Sequence, residues 1–308
     1  MAVYRILSID GGGIRGIISA ILLERLSAEP SLSGWLGKVD LLAGTSTGGL
    51  LALGIANALD LQVIRNLYET KGKSIFDDSW LRDLRDLGGI IGAKYDIANL
   101  DKELQAIFGG TILSQLSKKV LITAFDLDNG VADDTQRTWK PKLFHNFPGA
   151  DSDGDQLAYK VGLYTAAAPT YFPSVDGYVD GGVFASNPAM CALAQTQDPR
   201  IPDQPALKDV ILLSLGTGTS LTYITGESLD WGYAQWAKPL VSLMLDGVAG
   251  IADYQCRQLL GSAYHRLAPV FPPPASVPMD AVDRVPGMIA FAGQVALGPT
   301  IEWLKTHW

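Results

Sequence analysis

The stretch VDLLAGTSTGG, residues 39 to 49, contains the pentapeptide Gly-Thr-Ser-Thr-Gly with Ser46 at its centre. An apolar run precedes the pentapeptide and a helix-forming run follows it. A G-x-S-x-G sequence between a strand and a helix is typical of the nucleophile elbow, a sharp turn that exposes a serine hydroxyl above the end of a sheet. The pentapeptide alone is also common in glycine-rich loops, so it is the position after a buried strand that makes Ser46 a candidate nucleophile.

Strand and helix patterns alternate on both sides of this stretch. Short apolar, β-branched runs predict buried strands, and longer runs with helical spacing predict helices. The predicted strands are 3–9, 39–43, 118–127 and 209–215; the predicted helices are 14–29, 47–59 and 59–76, with an ambiguous segment at 81–96. This alternation predicts an α/β fold, a three-layer sandwich with a mostly parallel central sheet flanked by helices. Sites in such sheets lie at the carboxyl ends of the strands.

The length of 308 residues allows one large domain or two small ones. The proline-rich run at 270–280 is the one composition break, and the segment after it is too short for a core of its own. We therefore expect a single domain over 1–308, with 270–308 as a C-terminal appendage packed on it. The apolar stretch 236–251 could cover the active site or touch a lipid surface, but we expect it to form a core helix. Residues 219–308 carry no motif that assigns them a role.

Composition limits the partners of the chain. The formal net charge is −8 and the sequence pI is about 4.9, so a phosphate backbone would be repelled and nucleic acid is excluded as an expected partner. No apolar run reaches the roughly 18 residues needed to cross a bilayer. No signal-peptide pattern precedes the first strand, and two cysteines are too few for a disulfide framework, so we expect a cytoplasmic protein.

A second glycine-rich turn, DGGGIRG at residues 10–16, lies between a predicted strand and a predicted helix. Gly11, Gly13 and Gly16 formally match the dinucleotide fingerprint, but the acidic residue expected at the end of the second strand is missing. Consecutive glycines at a helix N-terminus can instead direct backbone N–H groups at an anion, either a phosphate or the oxyanion of an acyl-transfer intermediate. The amide of Thr47, directly after the elbow serine, could point at the same oxyanion.

Further motifs follow in an order that is specific in combination. These are AAAPTYFP (166–173), Tyr-Val-Asp-Gly-Gly ending at 182, Asn-Pro at 187–188 and LSLGTG (213–218). Together with DGGGIRG and GTSTG, they resemble the patatin-like phospholipase family over residues 7 to 218. The resemblance implies a Ser–Asp dyad, with Ser46 as nucleophile and Asp180 as its partner. It also implies an oxyanion-hole loop formed by Gly11, Gly12 and Gly13. Arg15 occupies the basic position of that loop, where two roles stay open: contact with an anionic head group, or holding the loop in place.

A histidine is the rival candidate for the base, because a free aspartate with a pKa near 3.9 is a poor base at neutral pH. Of the three histidines, His265 would give the Ser–Asp–His order of α/β-hydrolases. His145 lies in an apparent loop and His307 is next to the C-terminus. We expect Asp180 to act alone, with burial beside Ser46 raising its pKa, and His265 to have a structural role.

Two acidic segments could suggest a metal site. Asp126 and Asp128 follow a predicted strand, and ADSDGDQ at 150–156 faintly resembles a calcium loop but lacks the closing glutamate of an EF-hand. Both favour solvated turns, so we expect no metal and no cofactor.

The sequence therefore predicts a serine lipid acyl hydrolase of the phospholipase A type. Such an enzyme would cleave fatty-acyl esters of glycerophospholipids and would touch a membrane or micelle surface transiently. Two alternatives stay open: a carboxylesterase or neutral-lipid hydrolase, and a non-catalytic phosphate- or nucleotide-binding module.

Overall fold

The computed structural model describes residues 3–75, 93–202, 204–226, 229–273 and 276–308. The described strands form one sheet in the order β4-β3-β2-β1-β6-β7, with β5 paired to β3 outside this path. Neighbours within the run from β3 to β7 are parallel, whereas β4 and β5 run antiparallel to β3. The strands are β1 (Tyr4–Ile9), β2 (Leu41–Thr45), β3 (Lys119–Asp126), β4 (Lys140–His145), β5 (Tyr178–Asp180), β6 (Val210–Leu215) and β7 (Tyr264–Leu267).

Helices cover both faces of the sheet. Successive side chains of a strand point to opposite faces, and adjacent residues here enter different clusters: Ile6 packs in one and Leu7 in the other. The predicted three-layer α/β sandwich is confirmed. The helices are α1 (Gly16–Ser27), α2 (Thr47–Ala56), α3 (Leu61–Glu69), α4 (Gly72–Ile75), α5 (Ala98–Phe108), α6 (Ala158–Ala166), α7 (Gly182–Ala185), α8 (Ala189–Thr196), α9 (Tyr233–Leu260), α10 (Val285–Gln294) and α11 (Gly298–His307).

The four predicted strands are all present, as β1, β2, β3 and β6. The helix expected over 14–29 begins later, because a 3-10 turn at Gly13–Arg15 precedes α1. The run at 59–76 is divided into α3 and α4. Of the ambiguous segment 81–96, residues 81–92 lie outside the described residues. Three further strands, β4, β5 and β7, are absent from the prediction, since they are short and half-exposed or interrupted by turn-forming residues.

The C-terminal segment packs closely on α1. Arg25 donates hydrogen bonds to the carbonyl oxygens of Ala292 and Val295 at 2.6 and 2.8 Å. Met288 and Ala292 of α10 belong to the same buried cluster as the apolar face of α1. Residues beyond 270 thus contribute directly to the packing of the first helix after the glycine-rich turn.

Helix α9 differs from its expected role. Its inward side chains, Ala252 and Cys256, are buried, but Leu243, Met244 and Ile251 are each about half exposed. The expectation of a core helix at 236–251 is therefore wrong, because one side of the helix packs on the sheet and the other carries apolar residues into solvent. Within the described residues, no helix combines the length and the apolar character needed to cross a bilayer.

Candidate active site

Ser46 occupies a strained turn between β2 and α2. Its backbone has φ 53° and ψ −126°, a conformation that residues other than glycine rarely adopt. The Ser46 N–H donates a hydrogen bond of 2.7 Å to the hydroxyl of Thr165 at the end of α6. Strain of this kind persists only where the surrounding structure holds it, so Thr165 helps to fix the turn.

Close backbone contacts explain the two glycines that flank the serine. A Cβ atom at Gly44 would lie 2.3 Å from the carbonyl oxygen of Gly48, and one at Gly48 would lie 2.1 Å from that of Ile9. Both distances are far shorter than a van der Waals contact. The Gly-Thr-Ser-Thr-Gly pattern is thus required by the close approach of α2 to β1 and β2.

Asp180 lies next to Ser46 because β5 pairs with β3 directly beyond the point where β2 ends. Along β3, Thr123 is paired with Thr45, the last residue of β2, and the next residue, Ala124, is paired with Asp180. The chain of β2 leaves the sheet at the elbow just where β5 enters the same edge of β3. Two residues 134 positions apart in sequence are thereby placed side by side.

The carboxyl group of Asp180 is buried and has two hydrogen-bonding neighbours. Its side chain interacts with that of Ser46, and its Oδ1 accepts a hydrogen bond of 2.7 Å from the N–H of Gly182. Burial raises the pKa of Asp180 to about 6, while the interactions with Ser46 and Gly182 oppose that rise. At neutral pH this carboxyl group is mostly ionised, yet it is far more basic than a free aspartate.

The glycine-rich turn offers fewer free amides than the sequence suggested. The N–H of Gly11 donates a hydrogen bond of 2.9 Å to the carbonyl oxygen of Ser186, so it is not available to an oxyanion. Within the described part of the chain, the amides of Gly12 and Gly13 form no hydrogen bond, and both residues line the cavity that contains Ser46. The expected donor loop therefore narrows from three glycines to two.

Neighbouring residues hold this turn in place. Ile14 donates its N–H to the carbonyl oxygen of Met279 at 2.8 Å. Gly13 has φ +58°, and a Cβ atom there would lie 2.2 Å from the same oxygen. A Cβ atom at Gly12 would lie 2.2 Å from the hydroxyl oxygen of Thr217. Only glycine fits at these two positions of the turn.

Thr47 is the first residue of α2, where backbone amides have no acceptor within the helix. Its hydroxyl donates to the phenolic oxygen of Tyr68 at 2.6 Å, and that phenol donates to the Thr47 carbonyl at 3.1 Å. Burial raises the pKa of Tyr68, so the phenol stays protonated. The hydroxyl of Thr47 is thus engaged by Tyr68, and Thr47 is one of the residues that line the cavity.

Arg15 lies half-buried on the cavity wall. Its Nε donates to the carbonyl oxygen of Gly12 at 3.3 Å. Burial lowers the pKa of Arg15, and this is opposed most strongly by the carboxylate of Asp246 on α9, which also lines the cavity. Among the described residues no acidic group pairs with Arg15 within 4 Å, and Arg15 is one of the residues that line the cavity.

The cavity itself has a volume of about 430 Å³, within the range typical of small-molecule sites. Its polar end carries Ser46, Asp180 and the glycine-rich turn. Much of the apolar lining beyond that end comes from α2 to α5 and from the segment after α6, and residues of 220–222, α9 and 276–279 complete the walls, some of them polar. The apolar lining includes Leu50, Leu67, Ile75, Leu100 and Phe172.

The histidines do not take part in this site. His265 lies on β7, hydrogen-bonded to Thr300 at 2.9 Å and stacked on Trp303, and burial lowers its pKa. His145 ends β4 and is buried, so the expectation that it lies in a loop is wrong. Neither these two nor His307 is among the described residues that line the cavity with Ser46.

The acidic segments are held by basic side chains and turns. Asp128 pairs with Arg137, and Asp126 accepts the N–H of Asp128 at 3.1 Å. In the 150–156 segment, Asp153 pairs with Lys142 at 2.5 Å. Across the described ranges, no three histidine, cysteine or acidic residues are grouped in a way that could hold a metal ion.

Sequence reasoning missed three residues that build the site. Thr165 contacts the elbow and Met279 contacts the glycine-rich turn. Arg266 contacts Asp10. Arg266 forms a buried ion pair with Asp10, the first residue of DGGGIRG, and also donates to the Ser214 hydroxyl at 2.7 Å. Thr165 directly precedes the AAAPTYFP motif, so its neighbourhood carried a signal; the other two lie outside every motif.

Comparisons with known proteins show which proteins the chain is similar to. The family model of the patatin-like phospholipase matches residues 7–193. A cGAMP-activated phospholipase of Pseudomonas aeruginosa is 33% identical over 92% of this chain and 83% of its own length. Patatin-17 of Solanum cardiophyllum is 32% identical over 85% and 72%. Among solved structures, VipD of Legionella pneumophila covers 95% of this chain and 67% of its own, at 11% identity and a TM-score of 0.40, too remote to bear on chemistry.

A buried elbow serine beside an apolar cavity defines the class of ester hydrolases on an α/β sheet. The chain belongs to the patatin-like phospholipase family. It is a lipid-hydrolysing esterase of that family, and the resemblance seen in its sequence motifs is confirmed.

Proposed function

We propose that this chain is a serine acyl hydrolase of the phospholipase A type, which cleaves fatty-acyl esters of glycerophospholipids with Ser46 and Asp180 as its catalytic dyad. The observation that carries the proposal is the pairing of Ser46 with a buried, unusually basic carboxylate on the wall of a largely apolar cavity. The polar end of that cavity supplies the reacting groups, and the apolar walls suit a fatty-acyl chain.

In the first half of the reaction, the Ser46 oxygen attacks the ester carbonyl carbon while Asp180 accepts its proton. The carbonyl π electrons move to oxygen, and the oxyanion accepts hydrogen bonds from the amides of Gly12 and Gly13, with Thr47 as a third donor. One such donor is worth about 3 kcal/mol of transition-state stabilisation. The intermediate then collapses, the ester C–O bond breaks, and Asp180 returns the proton to the departing lysophospholipid oxygen.

In the second half, a water molecule attacks the acyl-Ser46 ester. Asp180 accepts one proton of that water, the oxyanion forms again, and collapse releases the fatty acid. The same proton returns to the Ser46 oxygen, so the enzyme is restored. Asp180 can perform these transfers because a pKa of about 6 lies close to the working pH of a neutral compartment.

Arg15 fits the anionic part of the substrate. Its guanidinium faces the cavity from the same turn that carries Gly12 and Gly13. A phosphate on the glycerol backbone would lie a few bonds from the scissile ester, which suits a cation that lines the same cavity as Ser46. A neutral lipid or a soluble ester gains nothing from Arg15, so this residue favours the phospholipid over the carboxylesterase alternative.

The decisive experiment is mass spectrometry of fatty acids released from phosphatidylcholine vesicles by the wild type and by Ser46→Ala. We expect release by the wild type only. The assay should run with and without cGAMP, because a relative is named as activated by it and an unactivated enzyme would otherwise be mistaken for an inert one. Hydrolysis of short nitrophenyl esters but not of phospholipid in both conditions would favour the carboxylesterase instead.

Covalent labelling tests the non-catalytic alternative. An organophosphonate should label the wild type at Ser46 and leave Ser46→Ala unlabelled. Absence of labelling, together with thermal stabilisation by a nucleotide, would favour a phosphate- or nucleotide-binding module.

A further inference from the structure

Exposed apolar side chains are concentrated in one part of this molecule. Fifteen large hydrophobic side chains are exposed in the described residues, and ten of them lie between residues 221 and 270. Leu221 and Tyr223, in the segment before α9, are 65% and 86% exposed. Scattered single apolar residues are normal on a protein surface, but a concentration of this kind marks an interaction site.

Five of the ten form a continuous stripe on α9. At about 100° per residue, they fall within an arc of roughly 100° on the solvent side, opposite the buried Ala252 and Cys256. The stripe covers about 20 Å of helix. The outer face of α9 is defined here by Leu240, Leu243, Met244, Gly247, Ile251 and Tyr254.

The outer face of α9 is continuous with the cavity of the proposed active site. Met244 belongs to the face and also lines the cavity, as do the adjacent Leu245 and Asp246. The side chain of Leu245 lies 3.2 Å from the position that a Cβ atom of Gly182 would occupy, next to Asp180. The outer face of α9 and the cavity therefore share Met244, so a lipid docked on this face lies beside the cavity.

Charge narrows the choice of partner. Between residues 239 and 255 the chain carries Asp246 and Asp253 and no lysine or arginine, and the whole chain has a net charge of −8. A surface of this kind is not attracted to anionic lipid, which recruits proteins through basic side chains. Its binding must come from burial of apolar area, as in helices that lie in the plane of a membrane interface.

We propose that the outer face of α9 docks on a zwitterionic lipid surface and delivers lipid from it into the cavity. This inference rests on the proposed function for the identity of the substrate, but docking itself can be measured without turnover. The exposed Leu221 and Tyr223 extend the apolar surface ahead of the helix. A second copy of this chain is the competing occupant, and the test distinguishes the two.

The test compares vesicle binding by Ser46→Ala with binding by the same protein carrying Leu243→Glu and Ile251→Glu. Neither position lines the cavity, and leucine and glutamate have similar helix propensities. Flotation with phosphatidylcholine vesicles should show at least about tenfold weaker binding for the variant, because burying each side chain contributes more than a factor of ten. Binding by the Ser46→Ala protein should persist in high salt.

The control is Leu207→Glu, which changes an exposed leucine in the 3-10 turn before β6, at the amino ends of the parallel strands and so at the opposite end of the sheet from the elbow. It should bind vesicles like its parent. On the active background, the double variant should lose hydrolysis of vesicle lipid but keep kcat/KM on a monomeric short-chain ester.

Equal vesicle binding by the double variant and its parent would overturn the inference. If, in addition, the parent is dimeric by light scattering and the double variant is monomeric, this face is an interface between copies. If the wild type binds vesicles through this face but releases no fatty acid, the proposed function fails and the docking inference stands.

Discussion

At the scale of single residues, the environment of Asp180 sets how strongly its carboxyl group holds a proton. The carboxyl group is almost fully buried, and among the described residues its ionised form is stabilised by Ser46 and the Gly182 amide. Burial penalises the charge more than these neighbours compensate, so the pKa rises to about 6. Two measurable consequences follow, one for activity and one for stability, and they have the same origin.

For activity, kcat/KM on a soluble ester should rise with pH through a midpoint near 6, because in the proposed mechanism Asp180 accepts the Ser46 proton and must be deprotonated to do so. The measurement is a pH profile between pH 4.5 and 8. Asp180→Asn should lose at least about 10³-fold in kcat. His265→Ala serves as the control and should keep both the midpoint of the pH profile and most of the activity. If this variant loses the midpoint, His265 and not Asp180 is the base.

For stability, Asp180→Asn should be more stable than the wild type at neutral pH. Between its ordinary pKa of 3.8 and about 6, the folded protein retains a proton that the unfolded chain releases, so stability falls as pH rises through this window. The free energy of unfolding of Asp180→Asn should exceed that of the wild type by at most about 3 kcal/mol above pH 6. This difference should vanish near pH 4, and urea unfolding measures it.

The matched control for stability is Asp128→Asn. That carboxyl group is exposed, and its hydrogen bonds with Arg137 lower its pKa to about 2. Its ionised form is therefore favoured in the folded state, so this variant should gain no stability at neutral pH. A gain in both variants would point to a general effect of removing negative charge.

At the scale of elements, the elbow depends on contacts between β2, α2, β1 and α6. The sequence pattern predicts the turn because a glycine on each side of Ser46 is needed for the close approach of α2 to β1. It does not predict the acceptor of the Ser46 amide, which comes from Thr165 at the end of a helix 119 residues away. The strained conformation of Ser46 thus depends on a contact that only packing creates.

Thr165→Val tests this contact with a change of little volume. The Ser46 amide would lose its acceptor in a buried position, at a cost of about 1–3 kcal/mol in unfolding free energy. We also expect a lower kcat on a soluble ester, since the elbow relaxes. Thr165→Ser keeps the hydroxyl and should retain most of both properties. Wild-type kcat in the valine variant would show that this hydrogen bond does not set the position of the Ser46 hydroxyl.

At the scale of the whole molecule, a buried ion pair connects β7, the last described strand along the chain, with the turn that follows β1, the first. Arg266 on β7 pairs with Asp10, which begins the glycine-rich turn after β1. Burial alone would lower the pKa of Arg266, but the Asp10 carboxylate and its hydrogen bonds raise it above its ordinary value. The C-terminal third of the chain therefore helps to hold the turn that carries Gly12 and Gly13.

Arg266→Leu should destabilise the protein by about 3–5 kcal/mol, because it leaves the Asp10 carboxylate buried without a partner. The double variant with Asp10→Asn should recover part of this loss. Arg257→Gln breaks an exposed pair with Asp253 and should change stability by less than about 1 kcal/mol. Urea unfolding of the wild type and the three variants measures these differences. Equal losses for Arg266→Leu and Arg257→Gln would contradict a stabilising role for the buried pair of Arg266 and Asp10.

The limits of sequence-based prediction follow the range of the interactions involved. The four strongly apolar strands and the two glycine-rich turns were predictable, because each is encoded in a few consecutive residues. The short strand β5 was not, since its pattern is that of an Asp-Gly turn, and it becomes a strand only by pairing with β3. The apolar content of 236–251 favours a core helix, but it does not say which side of the helix packs on a sheet, and one side of α9 is exposed.

The sequence by itself determined the α/β fold, the elbow at Ser46 and the glycine-rich turn, because these depend on local periodicity and on backbone approaches that only glycine permits. The tertiary structure alone decided that Asp180 lies beside Ser46, that its pKa is raised, that the Gly11 amide is already occupied, and that α9 turns an apolar face outward. The physical reason is that burial, strand pairing and desolvation arise between segments far apart in the chain, and no short stretch of residues encodes them.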